Sequence, residues 1–205
     1  QVAANQPRFE QGQFGKAVLV EEGTTNLLQN PSFETGDLSN WSPGFGSGIT
    51  GNANIVTNPT WHGNYAVKIT ITDSTSTYDA SVKQNINVAS GVTVTLSAYL
   101  LELQGNVNAE LSFRCNNGSG GYQFLRKVFT TPGYCVYTAT IPDGYIADQV
   151  WLTIRPRRVG GIGYGIFDAI QLEQKPYATS FIGGTRSSET LTIPTAGVIN
   201  PLNAW

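Results

Sequence analysis

Between residues 149 and 157 the chain alternates: Val150, Leu152 and Ile154 are aliphatic, while Trp151, Thr153 and Arg155 occupy the other parity. A strand sends successive side chains to opposite faces, so one set is predicted to enter a core and the other to face outward. Tyr122, Phe124 and Arg126 repeat an aromatic–aromatic–basic parity on another segment. Short alternating or continuously apolar runs recur along the chain, and helical periodicity is missing almost throughout. These runs predict strands near 17–21, 53–57, 65–72, 80–88, 92–102, 107–115, 122–129, 134–141, 149–157, 164–173 and 189–193. Asn58-Pro59, Asn116-Asn117-Gly118, Thr131-Pro132-Gly133 and Asp143-Gly144 separate them, each a turn-forming cluster.

Roughly nine strands fall within residues 26–175, which suits the two facing antiparallel sheets of a jelly roll. The fold class is therefore all-β, a β-sandwich with extended arms at both ends. Residues 1–25 form the N-terminal arm around Ala17–Glu21, and residues 176–205 the C-terminal arm around Glu189–Ile193. Neither segment is needed to complete the central body. An unpaired strand seeks an edge, so each arm is expected to pair within this chain, with a neighbouring domain or with another copy; frayed termini are the alternative.

Composition supports this picture and narrows the partners. The chain has 205 residues, 40% of them hydrophobic and 13% charged, with 23 glycines, nine tyrosines and nine phenylalanines. That is enough apolar material for a core, with less charge than the usual quarter. A net charge of −2 gives no electrostatic case for nucleic acid or an anionic membrane. No run of about 18 apolar residues exists, so no membrane-inserting helix is expected. The abundance of uncharged polar residues points to an extracellular, cell-surface or virion-surface setting. The chain contains no methionine, and Gln1 reads as a processed terminus or the edge of a longer protein. Cys115 and Cys135 lie on two predicted strands joined by a glycine-rich loop; a cross-strand disulfide and two buried thiols are both compatible with that placement. One pair of cysteines cannot complete a four-ligand zinc site.

Asn26-Leu-Leu-Gln-Asn-Pro-Ser-Phe-Glu-Thr-Gly36, followed by Trp41, breaks the strand rhythm. An apolar run ends in Asn30-Pro31, Phe33 returns to apolar surroundings, and Glu34 sits just before the turn glycine Gly36. A carboxylate beside a turn, with backbone carbonyls near, is what a hard cation such as calcium requires. This stretch resembles the start of carbohydrate-binding modules of the family 4, 16 and 22 type. His62-Gly63-Asn64-Tyr65-Ala-Val-Lys-Ile is similar to their glycine turn and second core strand, and Ile166-Phe-Asp-Ala-Ile-Gln-Leu-Glu173 to their closing strand. The resemblance covers about residues 26–175, specific at its two ends and generic between them.

The resemblance implies a structural Ca2+ ion. Glu34 and Asp168 would supply carboxylate oxygens, and Ser32, His62 and Tyr65 backbone carbonyls. Some relatives carry a carboxylate where His62 stands, which implies weaker binding here. It also implies a stacking aromatic at Tyr78. Alternation adds Tyr122, Arg126, Trp151 and Arg155 as candidate ligand-binding residues, because sugars are held by aromatic faces and planar polar groups. The flanks carry a second resemblance. Pro7–Leu28 is similar to a linker in large bacterial surface and phage tail proteins, and Tyr177–Ile182 and Leu191–Pro201 to segments leading there into a laminin-G-like domain. With Trp205 the last residue, the C-terminal arm is expected to lack that partner.

Catalysis finds little support. His62 is the only histidine and sits in a turn, so a Ser-His-Asp triad would rest on one residue. Glu102, Glu110, Asp79 and Asp148 lie at strand ends or turns with no sign of convergence, and a strand follows Gly160–Gly165, which excludes a phosphate loop. Arg155-Pro-Arg-Arg158 reads as a solvated basic loop. The expectation is a non-enzymatic module, stabilised by calcium, that binds polysaccharide or a cell-surface glycan on one sheet. The alternative is a structural subunit of an extracellular filament, tube or phage tail that joins copies of itself by strand exchange of its arms.

Overall fold

The computed structural model describes residues 8–12, 15–19 and 22–188, and residues 8–12 and 15–19 by their backbone only. Two compact units emerge, one of residues 25–185 and one formed by the flanking segments. In the flanking unit, β1 (Arg8–Gly12) and β2 (Gly15–Leu19) pair antiparallel, Arg8 opposite Leu19 and Gly12 opposite Gly15. The strand expected near 17–21 is thus the second limb of a hairpin. The segment expected at 189–193 lies outside the described residues.

The larger unit is a β-sandwich, and the described residues contain no helix. Its strands are β4 (Ser42–Phe45), β5 (Ile49–Val56), β6 (Ala66–Ser74), β7 (Ala80–Val88), β8 (Thr93–Gly105), β9 (Val107–Asn116), β10 (Tyr122–Phe129), β11 (Gly133–Thr140), β12 (Ile146–Pro156) and β13 (Gly163–Glu173). One five-stranded sheet has the order β10-β9-β12-β7-β4 and the other the order β11-β8-β13-β6-β5. All the pairings described in these sheets are antiparallel. A short pair, β3 (Thr24–Thr25) with β14 (Thr185–Arg186), places the first and last residues of the sandwich side by side. There the Thr25 and Thr185 hydroxyls lie 3.2 Å apart, and Asn26 N–H donates to the Gly184 carbonyl at 2.8 Å.

Alternation decides which faces meet. In β12, Val150, Leu152 and Ile154 are fully buried, as are Leu111 and Phe113 of β9 and Val82 of β7. They pack against Leu96 and Ala98 of β8, Ile69 of β6 and Phe167, Ile170 and Leu172 of β13. Each large aliphatic side chain so enclosed contributes about 1.5–3 kcal/mol relative to exposure. The opposite parity of the β10–β4 sheet remains outside the core, and that is where the aromatic and charged residues of β9, β10 and β12 stand. Sequence reasoning missed β4, a four-residue edge strand, Ser42–Phe45, containing proline and glycine. Such a segment has no readable period, and proline is confined to sheet edges.

The Asn26–Trp41 segment closes one end of the core. Phe33 is fully buried and packs on Trp41 with ring centroids 5.6 Å apart. Asn30 organises the loop: its amide donates to Thr35 Oγ1 at 2.7 Å and to the carbonyls of Asp37 and Ser39, while its carbonyl accepts from Trp41 Nε1. The start of the segment is laced to β13. Leu27 N–H donates to the Leu172 carbonyl, Ile170 N–H to the Pro31 carbonyl, and the Asn26 amide to the Ile170 carbonyl.

Candidate functional site

The outer face of the β10–β4 sheet is ordered in rows by strand register. Trp151 of β12 stands opposite Ser112 of β9 on one side and Lys83 of β7 on the other, and Ser112 in turn opposite Arg126 of β10. The next outward row holds Glu110 opposite Thr153. Arg155, one step further, folds back over these rows. Its Nε donates to Glu110 Oε1 at 2.8 Å, its Nη2 lies 3.5 Å from Asp79 Oδ1, and its Nη1 donates to the Thr77 carbonyl at 3.0 Å.

Asp79, Glu110, Ser112, Trp151, Thr153 and Arg155 line a cavity of about 380 Å³ together with Tyr78, Phe124 and Arg126. Trp151 forms one wall. The edge-to-face contact with Phe124, 5.4 Å and 89°, fixes its ring, and its Nε1 donates to Gln149 Oε1 at 3.1 Å. Tyr78 is carried by the β6–β7 loop. Ser76 Oγ donates to the Ser47 carbonyl at 2.6 Å, and Gly46 N–H to the Asp79 carbonyl at 2.8 Å. A Cβ on Gly46 would overlap the Tyr78 side chain, so glycine is what allows this loop to close against β4 and β5. Tyr78 itself is 57% exposed.

Electrostatically the cavity is a compact network. Glu110 is only 4% exposed, and the Arg155 guanidinium faces it, so the carboxylate is buried with a partner. Burial pushes the Asp79 carboxyl above its ordinary value; Arg155 pulls it down and Glu110 pushes it further up. Arg126 is less engaged, with Nη1 4.0 Å from Glu110 Oε2 and a half-exposed side chain.

The structure gathers Tyr78, Arg126, Trp151 and Arg155 into this one cavity. Tyr122, on the same face, lies outside it. Its ring packs on Arg114, 4.9 Å from ring centroid to guanidinium carbon, and Arg114 is bound two-pronged to Asp148 at 2.9 and 2.6 Å. That pair holds the Asp148 carboxyl below its ordinary value, although burial pushes the other way. Sequence reasoning did not foresee Asp79 and Glu110 meeting at Arg155. The outward parity of β9 held the signal for Glu110, since Ser112 and Arg114 share it opposite buried Leu111 and Phe113. Nothing local marked Asp79. The basic cluster also differs from a solvated loop: Arg155 is drawn into the cavity, and Arg157 donates to the Val107 carbonyl and to Asn108 Oδ1.

The candidate cation ligands converge on a different place. Glu34 accepts from Asn64 N–H and Tyr65 N–H, and Asp168 from Trp61 N–H and His62 N–H at 2.6 and 2.8 Å. Ser32 Oγ lies 3.2 Å from His62 Nδ1. A Cβ on Gly63 would overlap the Glu34 carboxylate, so the turn forms a cradle that only glycine leaves open. Asp168 is fully buried, and its carboxyl is pushed above its ordinary value by burial, against the pull of the His62, Trp61 and Ala169 N–H groups. Two carboxylates on one turn are suitable hard donors for calcium. Among the described residues no three His, Cys, Asp or Glu side chains cluster, so remaining ligands would be main-chain oxygens and water.

On the outer side of the other sheet, Trp61 stacks on Tyr99 at 3.8 Å and Tyr99 meets Tyr134 at 4.8 Å. Cys115 and Cys135 are both free and buried, which resolves the two sequence-level alternatives in favour of thiols.

No protein-family model and no curated protein matches the sequence. Solved structures do match. The chain is similar to the CBM22-1 xylan-binding domain of Paenibacillus barcinonensis Xyn10C, at 16% identity over 76% of this chain and 97% of that one, with a TM-score of 0.51. It is also similar to the C-terminal family 22 carbohydrate-binding module of Clostridium thermocellum Xyn10B, at 12% identity over 76% and 94%, TM-score 0.50. An arabinose-bound α-L-arabinofuranosidase, MgGH51, matches at 15% identity over 80% of this chain and 28% of the enzyme, TM-score 0.52. The chain has the β-sandwich fold of carbohydrate-binding modules.

Proposed function

We propose that this chain is a non-catalytic, extracellular or surface-borne module that holds polysaccharide on the outer face of its β10–β4 sheet. The observation that carries the reading is the cavity that sets Trp151, Tyr78 and Phe124 beside Asp79, Glu110 and Arg155. Aromatic faces take the apolar side of a pyranose ring, and planar charged groups take its hydroxyls in pairs. Arg155 holds both carboxylates, which favours fixed hydrogen bonding over the proton transfers that glycoside cleavage demands. A fold shared with a xylan-binding domain supports the same reading.

Affinity electrophoresis through soluble polysaccharides tests it. Retardation by at least one glycan is expected, weakened about threefold to tenfold in Tyr78→Ala and nearly unchanged in Tyr122→Ala, whose ring lies outside the cavity. Equal loss in both variants would place binding elsewhere on the face.

The module includes a structural calcium ion held at the 61–65 turn by Glu34 and Asp168. Glu34 of the first segment and Asp168 of β13 would hold the ion, which would supply positive charge at that turn. Its expected signature is a melting temperature that rises with calcium and falls with chelator; saturation at a hundredfold over Kd corresponds to about 2.7 kcal/mol. An identical melting temperature in calcium and in chelator would remove the ion from the account.

A further inference from the structure

Cations stand in the tryptophan's row on both sides, and neither is tightly paired with a carboxylate among the described residues. Across the sheet the row through Trp151 reads Arg126, Ser112, Trp151, Lys83. Lys83 Nζ stands 4.9 Å from the centre of the Trp151 ring system. Among the described residues, the nearest carboxylate contact of either cation is the 4.0 Å approach of Arg126 to Glu110. Glu110 meets Arg155 more closely, at 2.8 Å, through its other oxygen. Of the other charges of the face, Arg114 is matched by Asp148, and Arg155 stands between two carboxylates, Glu110 and Asp79. Arg114, Arg126, Arg155 and Lys83 outnumber the carboxylates Glu110, Asp79 and Asp148 by one, so in a chain of net charge −2 this face keeps a net positive charge around its central aromatic ring.

We infer that the glycan held on this face is anionic, a polysaccharide containing hexuronic acid, with Arg126 and Lys83 receiving its carboxylates while Trp151 receives a ring face. The inference rests on the glycan-binding reading above and names the class of sugar. Several features fit. A guanidinium presents a planar fork matched to a carboxylate, and an ammonium offers a compact charge with three donors. Three strand steps separate Arg126 from Lys83, roughly 14 Å at the usual strand spacing. That span is longer than one pyranose ring, so the row accommodates neighbouring uronates of one chain rather than a single acid. The acidic residues of the cavity do not oppose it. Glu110 and Asp79 sit one row or more from Trp151, on the side where Arg155 contacts both and Arg126 approaches Glu110. They remain available as acceptors for sugar hydroxyls beside the charged row.

The test is affinity electrophoresis of the full chain in polygalacturonate, in its methyl-esterified form, in neutral xylan and in polyglutamate. The variants are Trp151→Ala, Arg126→Gln and Lys83→Gln, each checked for native circular dichroism. Polygalacturonate is expected to retard the chain about ten- to a hundredfold more strongly than its ester. Arg126→Gln and Lys83→Gln should each narrow that ratio, and Trp151→Ala should lower retardation by acid and ester alike. Equal retardation by acid, ester and xylan, still sensitive to Trp151→Ala, overturns the anionic class and leaves glycan binding standing. Retardation by no glycan overturns both. Polyglutamate retarding as strongly as polygalacturonate, without regard to Trp151, marks simple ion exchange and also overturns the inference.

Discussion

Arg155 donates to Glu110 across two strands at 2.8 Å, and the carboxylate it meets is 4% exposed. The same guanidinium holds the Thr77 carbonyl, so the pair also anchors the loop that carries Tyr78. Binding surface and stability are therefore joined at one side chain.

Arg155→Ala leaves Asp79 without its close cation and Glu110 with only the 4.0 Å approach of Arg126. Removing one partner of a buried pair costs about 3 kcal/mol or more. For a domain of this size the melting temperature should fall by roughly 6–12 °C. A fall of a degree or less, read by circular dichroism, would show that the network contributes little.

Asp79 offers a test in pH. Its carboxyl is raised first by burial, and the rise exceeds what Arg155 takes back. A carboxyl raised above its unfolded value of about 3.9 keeps its proton more tightly in the folded chain. The stability this gives is present below the unfolded value and is lost as pH climbs through the folded one. Asp79→Asn removes that titration. The difference in melting temperature should shift in the variant's favour between about pH 3 and pH 7; a difference that stays constant contradicts the assignment.

Gly63 has φ +69°, and the Glu34 carboxylate occupies the space where its Cβ would stand. Gly63→Ala should therefore cost more than the roughly 1–2 kcal/mol of the left-handed backbone alone, because Glu34 must also leave the Asn64 and Tyr65 N–H groups. Glu34→Gln in the Gly63→Ala background should then add little. Full additivity of the two in thermal melts would show that they act apart.

The thiols of Cys115 and Cys135 are buried, and burial pushes each up to about 11. Thiolate is the reactive form, so neither should react with a thiol reagent at neutral pH in the native chain, and both should after denaturation. Prompt native labelling of either would contradict the packing.

Much of this architecture was legible in the residues. The alternation of Val150, Leu152 and Ile154 with Trp151, Thr153 and Arg155 gave both the core face and the outward face, since a period of two is a local property. Strands at 80–88 and 122–129 match their predicted limits. What escaped was long-range. Asp79 reaches Glu110 only because β7 and β9 flank β12, and strand order is not written in any single strand. Tyr122 shares the parity of Phe124 and Arg126, yet the Arg114–Asp148 pair keeps its ring away from the cavity. Parity places a side chain on a face; neighbours decide where on that face it works.

Thr25 and Thr185 meet at the point where the chain begins and completes the sandwich. The next contact inward joins Asn26 to Gly184, so the two segments run away from each other in number as they enter the fold. Tension applied to the two ends of this seam would part it one contact at a time, as a zipper opens, and would load β13 as soon as it reached Asn26, whose side chain holds the Ile170 carbonyl and the Leu172 N–H.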